Sequence, residues 1–225
     1  MSQVRGTLLL FATQLVLKGS TFIKQLLLAF FLGISKDLDL MLVAQMVPTI
    51  ISAILSGGAG EIMAINFRRD NVWNVHLLAL STFILVLMTI VANSVYLFSL
   101  PLLADLLNVK SENWKLFMAL SSCVVIAKVP AAVTSSLQQF VYVRDKYHAS
   151  MWVSVVSELL GIVFILLTAG KYGVMSFAIA LIISSSVNAL GYLYLIRIKI
   201  WIVGYLRVWR LYYRRLKNTF MKIGM

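Results

Sequence analysis

The chain has 225 residues, 61% hydrophobic and only 12% charged, with a mean hydropathy of +0.92. A water-soluble domain carries about 25% charged residues, so these values exclude that class and indicate an integral membrane protein. The net charge of +12 is no nucleic-acid signal, because the basic residues fall mostly in short loops and at the C-terminus and no nucleic-acid module accompanies them.

Crossing ~30 Å of hydrocarbon at 1.5 Å per residue takes about 20 apolar residues. That criterion predicts an all-α membrane protein with six spans, near 8–32, 38–65, 76–100, 115–141, 149–169 and 173–196. They form one transmembrane unit over 1–198, followed by a basic amphipathic tail over 199–225. The opening "MSQVRGTLLLFATQ" has one arginine before its apolar run and no small-residue cleavage pattern, so it is read as a retained first span.

That first span contains "LVLKGSTFIKQLLLAFFLG", with Lys18 and Lys24 inside it. A cation at the centre of a spanning helix costs at least ~2.5–3.5 kcal/mol. Lys18 lies about 15 Å from the helix start and Lys24 about 9 Å deeper, beyond the few ångströms that snorkelling recovers. Six residues place them about 120° apart around the helix, while Gly19 and Ser20 add a polar, locally loosened segment. Two readings stand together: a cationic site for a phosphate-bearing or carboxylate substrate, and internal pairing with Asp39 or Glu61 that substrate would release.

Gly33 ends the first span, and Asp39 begins the second, where a carboxylate also suits the helix macrodipole. Pro48 predicts a kink. The "SGGAG" before Glu61 lacks the lysine and hydroxyl of a phosphate-binding loop, which leaves close helix packing or a bendable helix as its use. Pro101 punctuates the end of span three, and Gly170 with Gly173 the end of span five. Lys128, near Pro130 in span four, and Glu158 in span five are read as a pair holding the bundle, with proton or ion coupling at Glu158 as the sharper alternative. His76 and His148 lie at span boundaries, where histidine is ordinarily solvated, and the ten methionines read as filler. The single cysteine, Cys123, can build neither a disulfide nor a thiolate metal site.

Alternate loops differ in basic content. Arg5, Arg68, Arg69, Arg144, Lys146 and the eight basic residues from Arg197 onward lie on one side, against Lys36, Lys110, Lys115 and Lys171 on the other. The positive-inside rule therefore puts both termini in the cytoplasm. In the tail, Arg207, Arg210, Arg214 and Lys217 form a helical stripe beside Leu206, Trp209, Tyr213, Leu216 and Phe220; with Arg215 they suit an anionic leaflet, and a disordered basic end is the plainer reading. There is no GxSxG, no HExxH and no histidine–carboxylate cluster, so the expectation is a non-enzyme without cofactor or metal.

Residues 18–60 together resemble the start of the MurJ (MviN) lipid II flippases, in the superfamily that also holds Wzx polysaccharide flippases and MATE exporters. The residues carrying the likeness are Lys18 and Lys24 where the family usually has arginines, then Gly33, then "DLMLVAQMVP" from Asp39 to Pro48, then "SGGAG". "LQQFVYVRDKYHASMWVSVVSELLGIVFIL" is similar to the family's junction between spans four and five. Ser52 stands where the family typically carries another cavity arginine, and lysine lacks the bidentate phosphate geometry of arginine. Family members have twelve to fourteen spans in two lobes, so six spans resemble one N-terminal lobe, completed by a homodimer or a separately encoded second lobe.

The resemblance implies a half-transporter in the bacterial inner membrane. It would move a polyprenyl-diphosphate-linked saccharide, such as lipid II or a polysaccharide repeat unit, for cell-envelope synthesis. Lys18, Lys24 and Asp39 would contact substrate, and membrane lipids would be the other partners. The competing expectation is a truncated, non-transporting membrane scaffold whose lysines are neutralised internally.

Overall fold

A computed structural model describes residues 3–33, 35–69, 75–106, 109, 111–143 and 147–196; for 3–7, 9, 10, 13, 14, 58–69, 75–77, 111, 142, 143 and 147 only the backbone is described. The tail residues Arg207, Arg210, Arg214, Arg215 and Lys217 lie outside this set.

Six helices follow one another: α1 (Gln3–Leu32), α2 (Lys36–Arg69), α3 (Val75–Leu106), α4 (Trp114–Val143), α5 (Tyr147–Tyr172) and α6 (Val174–Ile196), with a 3₁₀ turn at Ser111–Asn113 before α4. Each contains a stretch long and apolar enough to cross a membrane, which makes the chain a multi-pass membrane protein. The expected spans are all present, and most helices run a few residues past them.

Local chemistry explains the helix ends. Gly33 and Gly173 adopt φ of 59° and 52°, the left-handed region that glycine enters without a Cβ penalty, and their N–H groups bond the Ala29 and Ala169 carbonyls at 2.8 and 2.9 Å. Ser35 caps α2, its hydroxyl accepting from the Leu38 N–H at 3.4 Å. Two expected helix ends are corrected. α3 continues through Pro101 to Leu106, since one proline removes a single ladder bond near the end of a long helix, and α5 continues past Gly170 to Tyr172. The expected loosening at Gly19 and Ser20 is also absent: α1 is continuous, and the Ser20 and Thr21 hydroxyls both donate to the Leu17 carbonyl at 2.9 Å.

Helices α4 and α6 form the centre. α4 packs on α6, α2 and α3; α6 also packs on α5; and α1 leans mainly on α5, meeting α2 only slightly. Only 6% of the Leu15–Leu32 stretch is buried, against 39% for the spanning stretches of α4 and α6, so α1 is the peripheral helix. Phe30, Phe98, Leu102 and Leu167 stand exposed on the outside, as a hydrocarbon-facing surface requires.

Two apolar clusters occupy opposite ends of the bundle. One joins five helices through Met41 and Ala44 of α2, Tyr96 and Leu100 of α3, Phe117, Leu120 and Val124 of α4, Ile165 of α5, and Phe177 and Ala178 of α6. The other, among the described residues, joins α3, α4 and α6 through Leu78, Leu137, Phe140, Val141, Tyr192 and Ile196. Hydroxyl bridges tie the helices across these cores. Tyr96 donates to Ser121 at 3.2 Å and to the Ala44 carbonyl at 3.3 Å, and Thr82 meets Ser136 at 2.7 Å. Between the two clusters, the middle of the bundle is polar.

Candidate functional site

The polar middle is an open-sided cavity of about 310 Å³, with walls from α2, α4, α5 and α6. α2 contributes Gln45 and Thr49, one helical turn apart; α4 contributes Lys128, Thr134, Ser135 and Gln138; α5 contributes Glu158; and α6 contributes Ser184, Ser185 and Asn188. These positions fall near the middle of their helices. Lys128, for example, is about 20 Å from either end of α4.

Hydroxyls can line such a site because the helix itself satisfies them. Thr134, Ser135, Ser184 and Ser185 each donate to a carbonyl three or four residues back, at 2.9 to 3.3 Å. Their oxygens remain available as acceptors, so a serine-rich surface is tolerated at membrane depth and stays receptive to hydrogen-bond donors.

Three ionisable groups meet here. Lys24 of α1 reaches Glu158 of α5, with Nζ to Oε2 at 2.6 Å and the two side chains 13% and 25% exposed. The Lys128 ammonium, partly exposed at the cavity wall, donates to the Thr49 hydroxyl at 3.1 Å. Two expected pairings are therefore corrected: Lys24 pairs with Glu158 and not with Asp39, and Glu158 holds Lys24 instead of Lys128. Around a helix, rotation decides which neighbour a residue faces, and sequence spacing leaves it open. Glu158 is taken by Lys24 from outside the cavity lining, so the described charges of this group sum to +1 and the excess cation is Lys128.

A glycine gives the Lys24–Glu158 pair room. Gly161 is one turn beyond Glu158, and a Cβ there would stand 3.1 Å from Lys24 Nζ, 3.3 Å from its Cε and 3.3 Å from the Ser184 Cβ. The lysine stem thus lies in a notch left by the missing side chain. In sequence, Gly161 is one small residue in an apolar run; only the neighbouring helix gives it meaning. Of the glycine-rich "SGGAG", Gly58 and Gly60 lie where only the backbone is described, and a Cβ at Gly57 would meet nothing within 4 Å. Close packing is found instead at Gly161 and at Gly191, where a Cβ would come within 2.4 Å of the Val153 side chain.

A smaller crevice of about 120 Å³ runs between α1 and α2, lined by Thr21, Lys24 and Gln25 on one side and Met41, Leu42 and Gln45 on the other. It shares Gln45 and Leu181 with the main cavity, so the weak α1–α2 seam borders the polar site.

The remaining sequence candidates are dispersed. Lys18 is exposed on α1 and does not line the main cavity. Asp39 is exposed in the first turn of α2, as a helix-end charge should be, six residues before Gln45. Glu61 lies on α2 where only the backbone is described. His148 is exposed at the start of α5, and Cys123 is a free thiol. Among the described residues no cluster of histidine, cysteine and carboxylate could hold a metal ion. What sequence reading missed was the amide and hydroxyl set, Gln45, Thr49, Gln138, Ser184, Ser185 and Asn188. Polar residues at mid-span in α2, α4 and α6 were the available signal. Comparison of the chain with protein-family models, curated proteins and solved structures finds no match.

Proposed function

We propose that the chain is one lobe of a flippase-like transporter that carries an anionic, lipid-linked saccharide across the membrane, and that both its termini are cytoplasmic. The observation that carries this reading is the polar cavity at mid-membrane depth, lined by Lys128 and by Glu158, whose charge Lys24 neutralises from the adjoining α1 side so that Lys128 is left in excess. Transporters bind substrate near the bilayer midplane, and a surplus cation in low dielectric selects for anions. The diphosphate of a polyprenyl-linked sugar supplies the anion, and the sugar hydroxyls are donors that suit the acceptor oxygens of the serine-rich wall. The resemblance of residues 18–60 to MurJ-type flippases adds the substrate class. A facing second lobe completes the passage.

The scaffold reading keeps one specific observation in its favour: Lys24 is already neutralised by Glu158. Reconstituting the full chain in liposomes and following a labelled polyprenyl-diphosphate saccharide separates the two. Transport should fall about tenfold or more in Lys24→Ala, the scale of losing one charge-assisted hydrogen bond, with folding intact. No translocation by the wild-type chain, alone or with a partner lobe, overturns the transport reading in favour of the scaffold.

A further inference from the structure

Of Lys24, beside the cavity, and Lys128, lining it, the sequence directs attention to the first, but the geometry directs it to the second. Lys24 already has a carboxylate at 2.6 Å. Lys128 has three N–H donors and one recorded acceptor, the Thr49 hydroxyl at 3.1 Å, with no carboxylate within 4 Å among the described residues. Among the described residues, the single acid lining the same cavity, Glu158, is engaged on its α1 side. A cation in this position, halfway along a spanning helix and facing a cavity, carries charge that the protein itself leaves uncompensated.

We propose that Lys128 is the resting anion site of the cavity, taking the phosphoryl oxygens of a phosphate or diphosphate monoester, while Lys24 is held in reserve by Glu158. The assignment of that phosphate to a membrane lipid rests on the transport reading above; the site itself does not. Thr49 aims the ammonium from α2, and the Gln45 carboxamide, one turn earlier on the same helix, adds N–H donors at the same wall. Lysine is a point charge on a flexible stem, so it accepts phosphate without the fixed planar fork of arginine. The cavity, about 310 Å³, is at the low end of small-molecule sites and fits a phosphorylated head-group fragment better than a whole oligosaccharide.

Calorimetric titration of the full chain in neutral-lipid nanodiscs tests this, with farnesyl diphosphate as the membrane-borne probe, inorganic pyrophosphate as the water-borne probe and farnesol as the uncharged control. Wild type should bind at least one diphosphate and not farnesol. Lys128→Met should raise the Kd at least tenfold and Lys128→Arg should keep most of the affinity, because the charge is retained. Binding confined to farnesyl diphosphate assigns a lipid source, and equal binding of pyrophosphate assigns a free phosphate; either supports the site if it depends on Lys128. The melting temperature of Lys128→Met should equal or exceed that of wild type, since the variant loses an uncompensated charge. Unchanged affinity in Lys128→Met, or a lowered melting temperature with binding retained, overturns the site and makes Lys128 structural. Lys128-dependent binding in a chain that transports nothing upholds the site and overturns the transport reading, whereas undiminished transport by Lys128→Met does the reverse.

Discussion

Glu158 shares its cavity with Lys128 yet neutralises Lys24, which reaches it from α1. Its bond to Lys24 is neither a surface ion pair, where the coupling is ~0–1 kcal/mol, nor a fully dry one, where removing a partner costs ~3–5 kcal/mol. With side chains 13% and 25% exposed, an intermediate coupling of about 1–3 kcal/mol is expected. A double-mutant cycle with Lys24→Met and Glu158→Gln, read by thermal melting in nanodiscs, measures it. Each single variant should destabilise the protein and the double variant should lose less than their sum; strict additivity would mean the contact contributes nothing. The same residues mark the limit of sequence reading. Lys24, Lys128 and Glu158 could each be singled out as charges in apolar runs, yet their pairing could not, because it depends on how four helices are rotated against one another.

At the scale of the element, the legible part was length. Six apolar runs separated by short polar segments become six helices, because hydrocarbon leaves the backbone no other way to satisfy its own hydrogen bonds within a single segment. Interruptions were harder to read, as Pro101 shows by sitting inside α3. Small residues were harder still: the conspicuous Gly57 faces open space, whereas the inconspicuous Gly191 lets α6 approach Val153 of α5. Without lipid-excluding hydrophobicity between helices, such close approach is a main source of association. Gly191→Ala would place a Cβ 2.4 Å from a β-branched methyl, so α5 and α6 must separate. Overpacking of this kind costs about 1–3 kcal/mol and should lower the melting temperature, while Gly57→Ala, with nothing in its path, should leave it unchanged or raised.

For the whole molecule, a notable asymmetry is the row of exposed polar groups on the middle of α1. Lys18, Thr21 and Gln25 are exposed there, at spacings of three and four that align them on one face, whereas the other exposed helix faces are dominated by large apolar side chains such as Phe98, Leu102 and Leu167. Such a face requires water or a second polar surface opposite it. In the reconstituted full chain, a cysteine at position 18 should therefore react with a membrane-impermeant thiol reagent at least about tenfold faster than one at Phe98, since the thiolate forms only in water. Equal and slow labelling would place the α1 face against lipid.

The slight contact between α1 and α2 bears on the mechanics of the bundle. α1 is fastened to the rest chiefly along α5, and the fastening includes a bond between opposite charges that an incoming anion would compete for. An anion that draws Lys24 away from Glu158 performs a chemical exchange in the cavity and at the same moment unpins the outermost helix. On the proposed transport reading, capture of an anion by Lys24 and mobility of the wall beside it would be two descriptions of one event.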